Sequence, residues 1–187
     1  MRRPAVLMNE PDDKELMERC IKGDRNAFEV LVIRYEKSVY NAAYRMLNSA
    51  EDAQDVAQTV FLKVFEHIDQ FDPERLPFSW IYRIALNESI NWLKGRNRLA
   101  PIEEDVSDDC NGPERQAGRQ QLSEGMQAAL MTIGPDYRAV IILKHVLGCS
   151  YLEISETLDV PEKTVKSRLY TARQLLKDRL SERGVHS

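Results

Sequence analysis

The sequence predicts an all-α fold in which two small helical domains are joined by a flexible acidic linker, and three observations predict it. Apolar residues recur three and four positions apart through most of the long segments, the spacing that lines one face of a helix. Several of these segments open on Ser or Asp and end near Gly or Pro, residues that satisfy or stop a helix terminus. One stretch, 99–119, loses the periodicity altogether and divides the helical segments into two blocks.

Residues 1–11 read as a tail. Asp12 and Asp13 start a short helix that runs to Ile21, and Lys22-Gly23-Asp24 supplies a stop followed by a new cap. From Asn26 to Leu47 the residues Phe28, Leu31, Val32, Tyr35, Val39, Ala42, Ala43 and Met46 keep helical spacing and predict one long helix, with Tyr35 and Tyr40 read as core. Ser49 with Asp52 signals the next start. The stripe that follows is Ala53, Val56, Ala57, Val60, Phe61, Val64, Phe65 and Ile68, all expected to be buried. The other side carries Glu51, Asp52, Asp55, Gln58, Thr59 and Glu66, either as a solvated face favoured by the helix dipole or as an acidic docking surface for a basic protein.

A loop bounded by prolines, Phe71 to Pro77, leads into FSWIYRIALNESINWLKGRNR, a helix rich in aromatics that ends in Lys94, Arg96 and Arg98 beside a Gly95 stop. Trp80, Ile81, Ile84, Ala85 and Trp92 read as core. Aromatics beside a polar loop and a basic helix end also suit the stacking of unpaired bases and the holding of their backbone, so both readings stand. The linker then brings Pro101, the acids Glu103, Glu104, Asp105, Asp108 and Asp109, and Asn111-Gly112-Pro113.

Helices resume from Gln120 to Thr132 and, after Gly134-Pro135, from Tyr137 to Leu147. Ser150 with Glu153 forms a capping-box signature, which opens a short helix that breaks at Asp159-Val160-Pro161, and a second helix begins there. In it Val165, Leu169, Ala172 and Leu176 fall within a narrow arc and predict the buried stripe. Lys163, Ser167, Tyr170, Thr171 and Gln174 lie opposite, with Lys166, Arg168 and Arg173 on the flanks. Central groups that read base edges, edged by cations that neutralise phosphates, are what a helix in a DNA major groove needs. An ordinary amphipathic hairpin with a solvated basic face is the other reading. From Pro161 to Arg183, seven Lys and Arg against three acids give +4, in a chain whose net charge is -4. That segregation favours DNA.

A 187-residue chain with 43% hydrophobic residues is long and apolar enough for packed cores. Its longest apolar runs, such as Ala139 to Leu143, are too short to span a bilayer, and MRRPAVLM lacks the apolar region of a signal peptide, so a soluble cytoplasmic protein without membrane insertion is expected. Cys20, Cys110 and Cys149 are widely spaced and read as buried or incidental thiols; His67, His145 and His186 are isolated. No Gly-rich phosphate loop, metal set or catalytic constellation is present in the sequence, so no cofactor, small-molecule substrate or enzymatic chemistry is expected.

The spaced motifs Gly23-Asp24 with Ala27-Phe28, Asp55-x-x-Gln58-x-x-Phe61, Phe78-Ser79-Trp80-Ile81-Tyr82-Arg83-Ile84-Ala85-x-Asn87, Glu153-Ile154, Pro161-x-x-Thr164-Val165-Lys166-Ser167-Arg168-Leu169 and Ala172-Arg173 follow one another in a familiar order. Between about Asp12 and Leu180 the chain resembles the extracytoplasmic-function group of bacterial sigma factors, small members of the sigma-70 family that keep only the second and fourth conserved regions. The resemblance implies a region 2 helical bundle over 12–98, the linker over 99–119, a region 4 helix-turn-helix over 120–183 and a tail over 184–187. It implies that Asp52, Asp55 and Gln58 dock on core RNA polymerase. Asp72, Arg75, Phe78 and Asn87 would open the −10 element and hold its single strand, with Lys94, Arg96 and Arg98 on nearby phosphates. Lys163, Thr164, Lys166, Ser167, Arg168, Tyr170, Thr171 and Arg173 would read the duplex −35 element. The linker would run toward the RNA exit channel, and an anti-sigma factor would hold the protein inactive.

Some positions depart from the family pattern: Thr59 stands where an acid is common, Asn91 where aspartate is frequent, Ser155 where alanine is frequent, Lys163 where glycine is frequent and Thr171 where a basic residue is frequent. The reading face is altered, so promoter sequence does not carry over from relatives. Two rival readings are a dimeric two-domain regulator that binds a palindrome without polymerase, and a helical scaffold that binds only protein.

Overall fold

The computed structural model describes residues 11–99 and 125–182. Four helices form the first half: α1 (Asp13–Ile21), α2 (Arg25–Leu47), α3 (Ala50–Glu66) and α4 (Pro77–Leu99), with a 3₁₀ turn at Ile68–Gln70. The second half comprises α5, whose described part is 125–131, α6 (Pro135–Ile141) running on into a π turn at Ile142–Val146, α7 (Tyr151–Leu158) and α8 (Glu162–Glu182). The described residues contain no strand.

Each start expected from a capping residue is made by that residue. Asp12 accepts from the Glu15 N–H at 2.8 Å. Asp24 accepts from the Asn26 and Ala27 N–H groups at 3.0 and 3.2 Å, and receives the Arg19 guanidinium at 2.8 Å. The Arg19 hydrogen bond holds the Asp24 carboxyl below the usual carboxylate range. Between α1 and α2 the chain turns at Gly23 with φ +86°, a left-handed conformation that L side chains rarely adopt. Ser49 caps α3 by accepting from the Asp52 N–H at 3.2 Å.

Burial follows the stripes. Leu31, Val39, Ala42 and Met46 of α2 meet Val56, Val60 and Val64 of α3 and Ile81, Tyr82, Ala85 and Leu86 of α4, all of them buried. The short α1 is fixed to α2 by its Asp13 carboxylate, which accepts from the Tyr35 hydroxyl at 2.5 Å and the Arg34 guanidinium at 2.6 Å. Burial, with Asp13 alongside, pushes the Tyr35 phenol far above its ordinary pKa. In the second half, Val165, Leu169, Ala172 and Leu176 of α8 pack on α6, and α7 packs across α8.

The two halves touch. α4 lies against α7, and α2 against α6 and the π turn. On one side of this seam Arg83 of α4 donates to the last carbonyls of α7, to Glu156 O at 2.5 Å and Thr157 O at 3.3 Å, and sits 3.5 Å from the Asp159 carboxylate. Ser79 reaches the Glu156 carboxylate at 3.4 Å. On the other side the last carbonyls of α2 are capped from the second half: Gln127 donates to Tyr44 O and Arg45 O at 3.4 and 3.3 Å, and Arg138 donates to Met46 O. Arg138, almost wholly buried, also holds Leu130 O, Met131 O and Ile133 O at 3.0 to 3.2 Å. Burial pulls its pKa down to about 10, which still leaves it charged at neutral pH.

Several expectations need correcting. Helix α4 runs through Gly95 to Leu99 instead of stopping there; Gly95 is exposed with nothing near it, and good helix formers on both sides outweigh its cost of about 1 kcal/mol. Helix α6 begins at Pro135, two positions before Tyr137, because proline fits a first helical position. Phe65 and Trp92 are not core: they are 55% and 39% exposed, Phe65 meeting Phe28 edge-on at 5.2 Å and leaving its other face to solvent. The tail, most of the linker (100–119) with Cys110, the start of α5 at Gln120 and the Arg98 side chain lie outside the described residues. Cys20 and Cys149 are buried thiols, and burial pushes the Cys20 thiol up.

Replacing Arg138 by Met leaves four carbonyls without their donor. Urea denaturation is expected to show a loss of about 2–4 kcal/mol of unfolding free energy, the range for breaking a buried charged hydrogen-bond set. A loss indistinguishable from zero would mean that those carbonyls are satisfied in another way.

Candidate nucleic-acid and protein interfaces

The helix pair α7–α8 is assembled by its own side chains. Ser150 and Glu153 make the full capping box, the Ser150 hydroxyl accepting from the Glu153 N–H at 3.2 Å and the Glu153 carboxylate from the Ser150 N–H at 2.7 Å. Helix α7 ends at Asp159, whose φ of +55° reverses the chain. Ser155 then donates to Val160 O at 2.6 Å, which clamps the turn. The hydroxyl that departs from the alanine expected there thus has a partner. Pro161 O accepts from Thr164 and Val165, opening α8.

With Val165, Leu169, Ala172 and Leu176 turned inward, Lys163, Ser167, Tyr170 and Gln174 are left exposed, Tyr170 at 68%. Thr164, Arg168 and Thr171 are half-buried at the edges of this face. Lys166 lies 3.8 Å from Glu162 and over the Tyr151 ring, whose other cation is Lys144 at 4.7 Å from the ring centre. Arg173 is exposed, 3.4 Å from the His145 ring nitrogen. Burial, then the Arg173 and Lys144 cations, hold His145 below the usual imidazole range, so it adds no charge at neutral pH. The eight residues predicted to read a duplex therefore lie along one helix, all of them outside its buried stripe.

The residues predicted for unpaired DNA divide differently. Asp72 accepts from the Glu74 N–H at 3.0 Å and pairs with Arg75 at 3.6 Å, so these two shape the loop together. Phe78 is half-buried and tilted against Tyr82 at 4.5 Å. Trp80 packs edge-on against buried Phe71 at 5.4 Å, which makes it part of the loop's base. Asn87, Lys94 and Arg96 are exposed on α4.

On α3, Asp55 and Gln58 are exposed, but Asp52 is not simply solvated: its carboxylate lies 3.4 Å from Arg96 of α4. Two residues assigned to different partners thus hold each other. Lys63 and Glu88 make a second bridge between the same helices at 2.7 Å. Thr59 turns its hydroxyl back to Asp55 O at 2.9 Å and offers no charge. Gln58 also borders an open groove of about 790 Å³ between α2 and α3, lined by Phe28, Val32, Tyr40, Phe61 and Leu62. Leu62 is 62% exposed, so this face is more apolar than the acidic pattern suggested.

Sequence reasoning missed the residues of the seam, Arg83, Gln127 and Arg138. One signal was available: Arg138 interrupts the apolar run Tyr137 to Leu143, and a cation inside such a run needs a buried set of acceptors. Among the described residues no group of three or more His, Cys, Asp or Glu could hold a metal ion, and no helix is long and apolar enough to cross a membrane.

Family comparison matches residues 31–99 to sigma-70 region 2 and residues 123–176 to sigma-70, region 4. The chain is 32% identical to the ECF RNA polymerase sigma factor SigW of Bacillus subtilis strain 168, covering 90% of this chain and 97% of that protein. It is 31% identical to the ECF RNA polymerase sigma-E factor of Escherichia coli K12, covering 90% and 94%. Among solved structures it is similar to CnrH in complex with the cytosolic domain of CnrY, with TM-score 0.72, 26% identity and coverage of 91% of this chain and 97% of that one. The sigma factor RpoE of Bartonella quintana, at 21% identity, TM-score 0.66 and coverage of 82% and 96%, shares the fold.

Stripe and face are separable by truncation. Leu169→Ala is expected to cost about 2–5 kcal/mol in urea denaturation, as for a buried leucine, while Tyr170→Ala on the exposed side should stay within about 0.5 kcal/mol. Equal losses would contradict the orientation of α8.

Proposed function

Since the chain belongs to the extracytoplasmic-function sigma factors of bacterial RNA polymerase, we propose that residues 12–98 and 120–183 act as the family's second and fourth regions and engage one promoter at two places. The protein is an alternative sigma factor, directing promoter-specific initiation by core polymerase. The observation that carries the assignment of roles is the α8 face: Lys163, Ser167 and Tyr170 exposed on a helix whose opposite stripe is fully packed.

In this reading Lys163, Ser167, Tyr170 and Thr171 meet base edges of the −35 duplex, and Thr164, Lys166, Arg168 and Arg173 take phosphates or the groove edge. The Asp72–Arg75 loop with Phe78 and Asn87 receives an unpaired base of the −10 strand, and Lys94, Arg96 and Arg98 hold its backbone. Unstacking a base costs a few kcal/mol and a stacking contact returns about 1–3 kcal/mol, so strand capture works by offsetting lost pairing and not by chemistry. The protein acts through binding alone and has no reaction of its own. Asp52, Asp55 and Gln58, with the groove beside Gln58, form the core-polymerase face, where exposed Leu62 adds apolar area to the charge. The linker joins the two regions through the polymerase. An anti-sigma partner is supported by the CnrH relative, which is bound to the cytosolic domain of another protein. The site of action is the cytoplasm.

Run-off transcription with purified core polymerase over genomic fragments tests the whole reading, with a known sigma factor as control. New start sites dependent on this chain are expected, and none would refute it. Asp55→Ala is expected to weaken core binding with unchanged helical content by circular dichroism. At the −35 element, Ser167→Ala should relax preference at one base pair by about 1–3 kcal/mol, whereas Lys166→Ala should weaken all sequences alike and lower the salt slope by about 1. Gel shifts across a salt series distinguish the two.

A further inference from the structure

Two of the cations on α8 stand on the same flank of the helix. At 100° per residue Lys166 and Arg173 lie about 20° apart, and at 1.5 Å rise they are about 10.5 Å apart along the axis. Both are exposed, yet each has a partner from outside α8. Lys166 Nζ lies 5.6 Å from the centre of the Tyr151 ring at the start of α7, and Arg173 Nη2 lies 3.4 Å from His145 Nε2 in the π turn. The backbone that carries these partners is itself fixed. The Leu147 and Cys149 N–H groups donate to Ile142 O and Leu143 O at 3.0 and 2.9 Å, closing the π turn. Lys144 Nζ donates to Cys149 O at 2.9 Å and lies 4.7 Å from the centre of the same Tyr151 ring. The Ser150–Glu153 box sets the first turn of α7, on which that ring stands.

We infer that Tyr151 and His145 are positioning residues, which hold Lys166 and Arg173 in one row so that both meet the phosphates of a duplex with their side chains already placed. The proposal rests on the promoter reading given above and adds to it two residues that bring no charge to the DNA. A guanidinium only donates, so the imidazole nitrogen that faces it must accept, which requires the neutral ring. Burial, then the Arg173 and Lys144 cations, keep His145 in that form at neutral pH. An aromatic face attracts an ammonium without neutralising it, so Lys166 keeps its full charge for a phosphate. Its other partner does the reverse. The Glu162 carboxylate, 3.8 Å from Lys166 on the same helix, competes with phosphate, and loss of the ring would leave the ammonium to it. Long side chains lose conformational freedom when they bind, and those already held lose less.

The full-length protein is titrated with a short fluorescein-labelled DNA duplex of random sequence, followed by anisotropy across a salt series at about pH 8, where the imidazole is neutral. Tyr151→Leu and His145→Ala are each expected to weaken binding about three- to tenfold at low salt, the order of one long side chain left for the DNA to arrange. Tyr151→Phe, which keeps the ring, and His145→Gln, which keeps an acceptor, should bind as the wild type does. The slope of affinity against salt counts neutralised phosphates, so it should hold its wild-type value in all four, whereas Lys166→Ala and Arg173→Ala should each lower it by about 1. On a Lys166→Ala background Tyr151→Leu should have little further effect, and on an Arg173→Ala background the same holds for His145→Ala. Wild-type affinity in Tyr151→Leu and His145→Ala, a lowered slope in either, additive losses on the two backgrounds, or equal weakening by Tyr151→Phe and His145→Gln would each overturn the proposal. Failure of the promoter reading shows instead as absence of core-dependent transcripts with these couplings intact.

Discussion

The last carbonyls of a helix need donors, and in this chain the two halves supply them to each other. Helix α2 ends against Gln127 and Arg138, and α7 ends against Arg83. The four-helix first half and the helix-turn-helix half each bury their own stripe, so the seam contributes register more than bulk stability. Arg138 is the exception, since it binds three carbonyls of its own half and one of the other. It would keep most of its partners if the seam opened. Among the described residues no buried side-chain nitrogen or oxygen lacks a hydrogen bond, which a seam built from helix ends and charged side chains would otherwise make hard to achieve.

Much of this was legible in the residues. Capping Asp12, Asp24, Ser49 and Ser150 begin helices where their side chains find first-turn N–H groups, because capping depends only on neighbours in sequence. The α8 stripe and its opposite face follow from period alone. Helix stops were less legible: Gly95 does not end α4, because a stop requires the chain to turn and nothing there turns it. Phe65 kept the helical period yet stayed exposed, since period fixes which side of α3 a residue takes and not whether a neighbouring helix reaches that far.

The candidate residues divide along the same line. The exposed face of α8 was legible because it belongs to one element, and a helix surface is computable from spacing. The association of Arg83 with α7 and of Gln127 with α2 joins positions more than seventy residues apart, and no local pattern carries it. Asp72 and Arg75 were assigned together as DNA-facing residues, and the structure adds that they first engage each other. A loop preset by its own ion pair loses less conformational freedom on binding a ligand.

The contact between Asp52 and Arg96 has a thermodynamic consequence of its own. A basic protein surface that recruits the carboxylate must take it from the arginine, and a phosphate that recruits the arginine must take it from the carboxylate. Each event removes the competitor of the other, so a basic protein surface at Asp52 and a phosphate at Arg96 would favour one another's arrival by equal amounts. With Arg96 largely in solvent the bias is small, under about 1 kcal/mol. That is enough to give assembly a preferred sequence while leaving either encounter reversible.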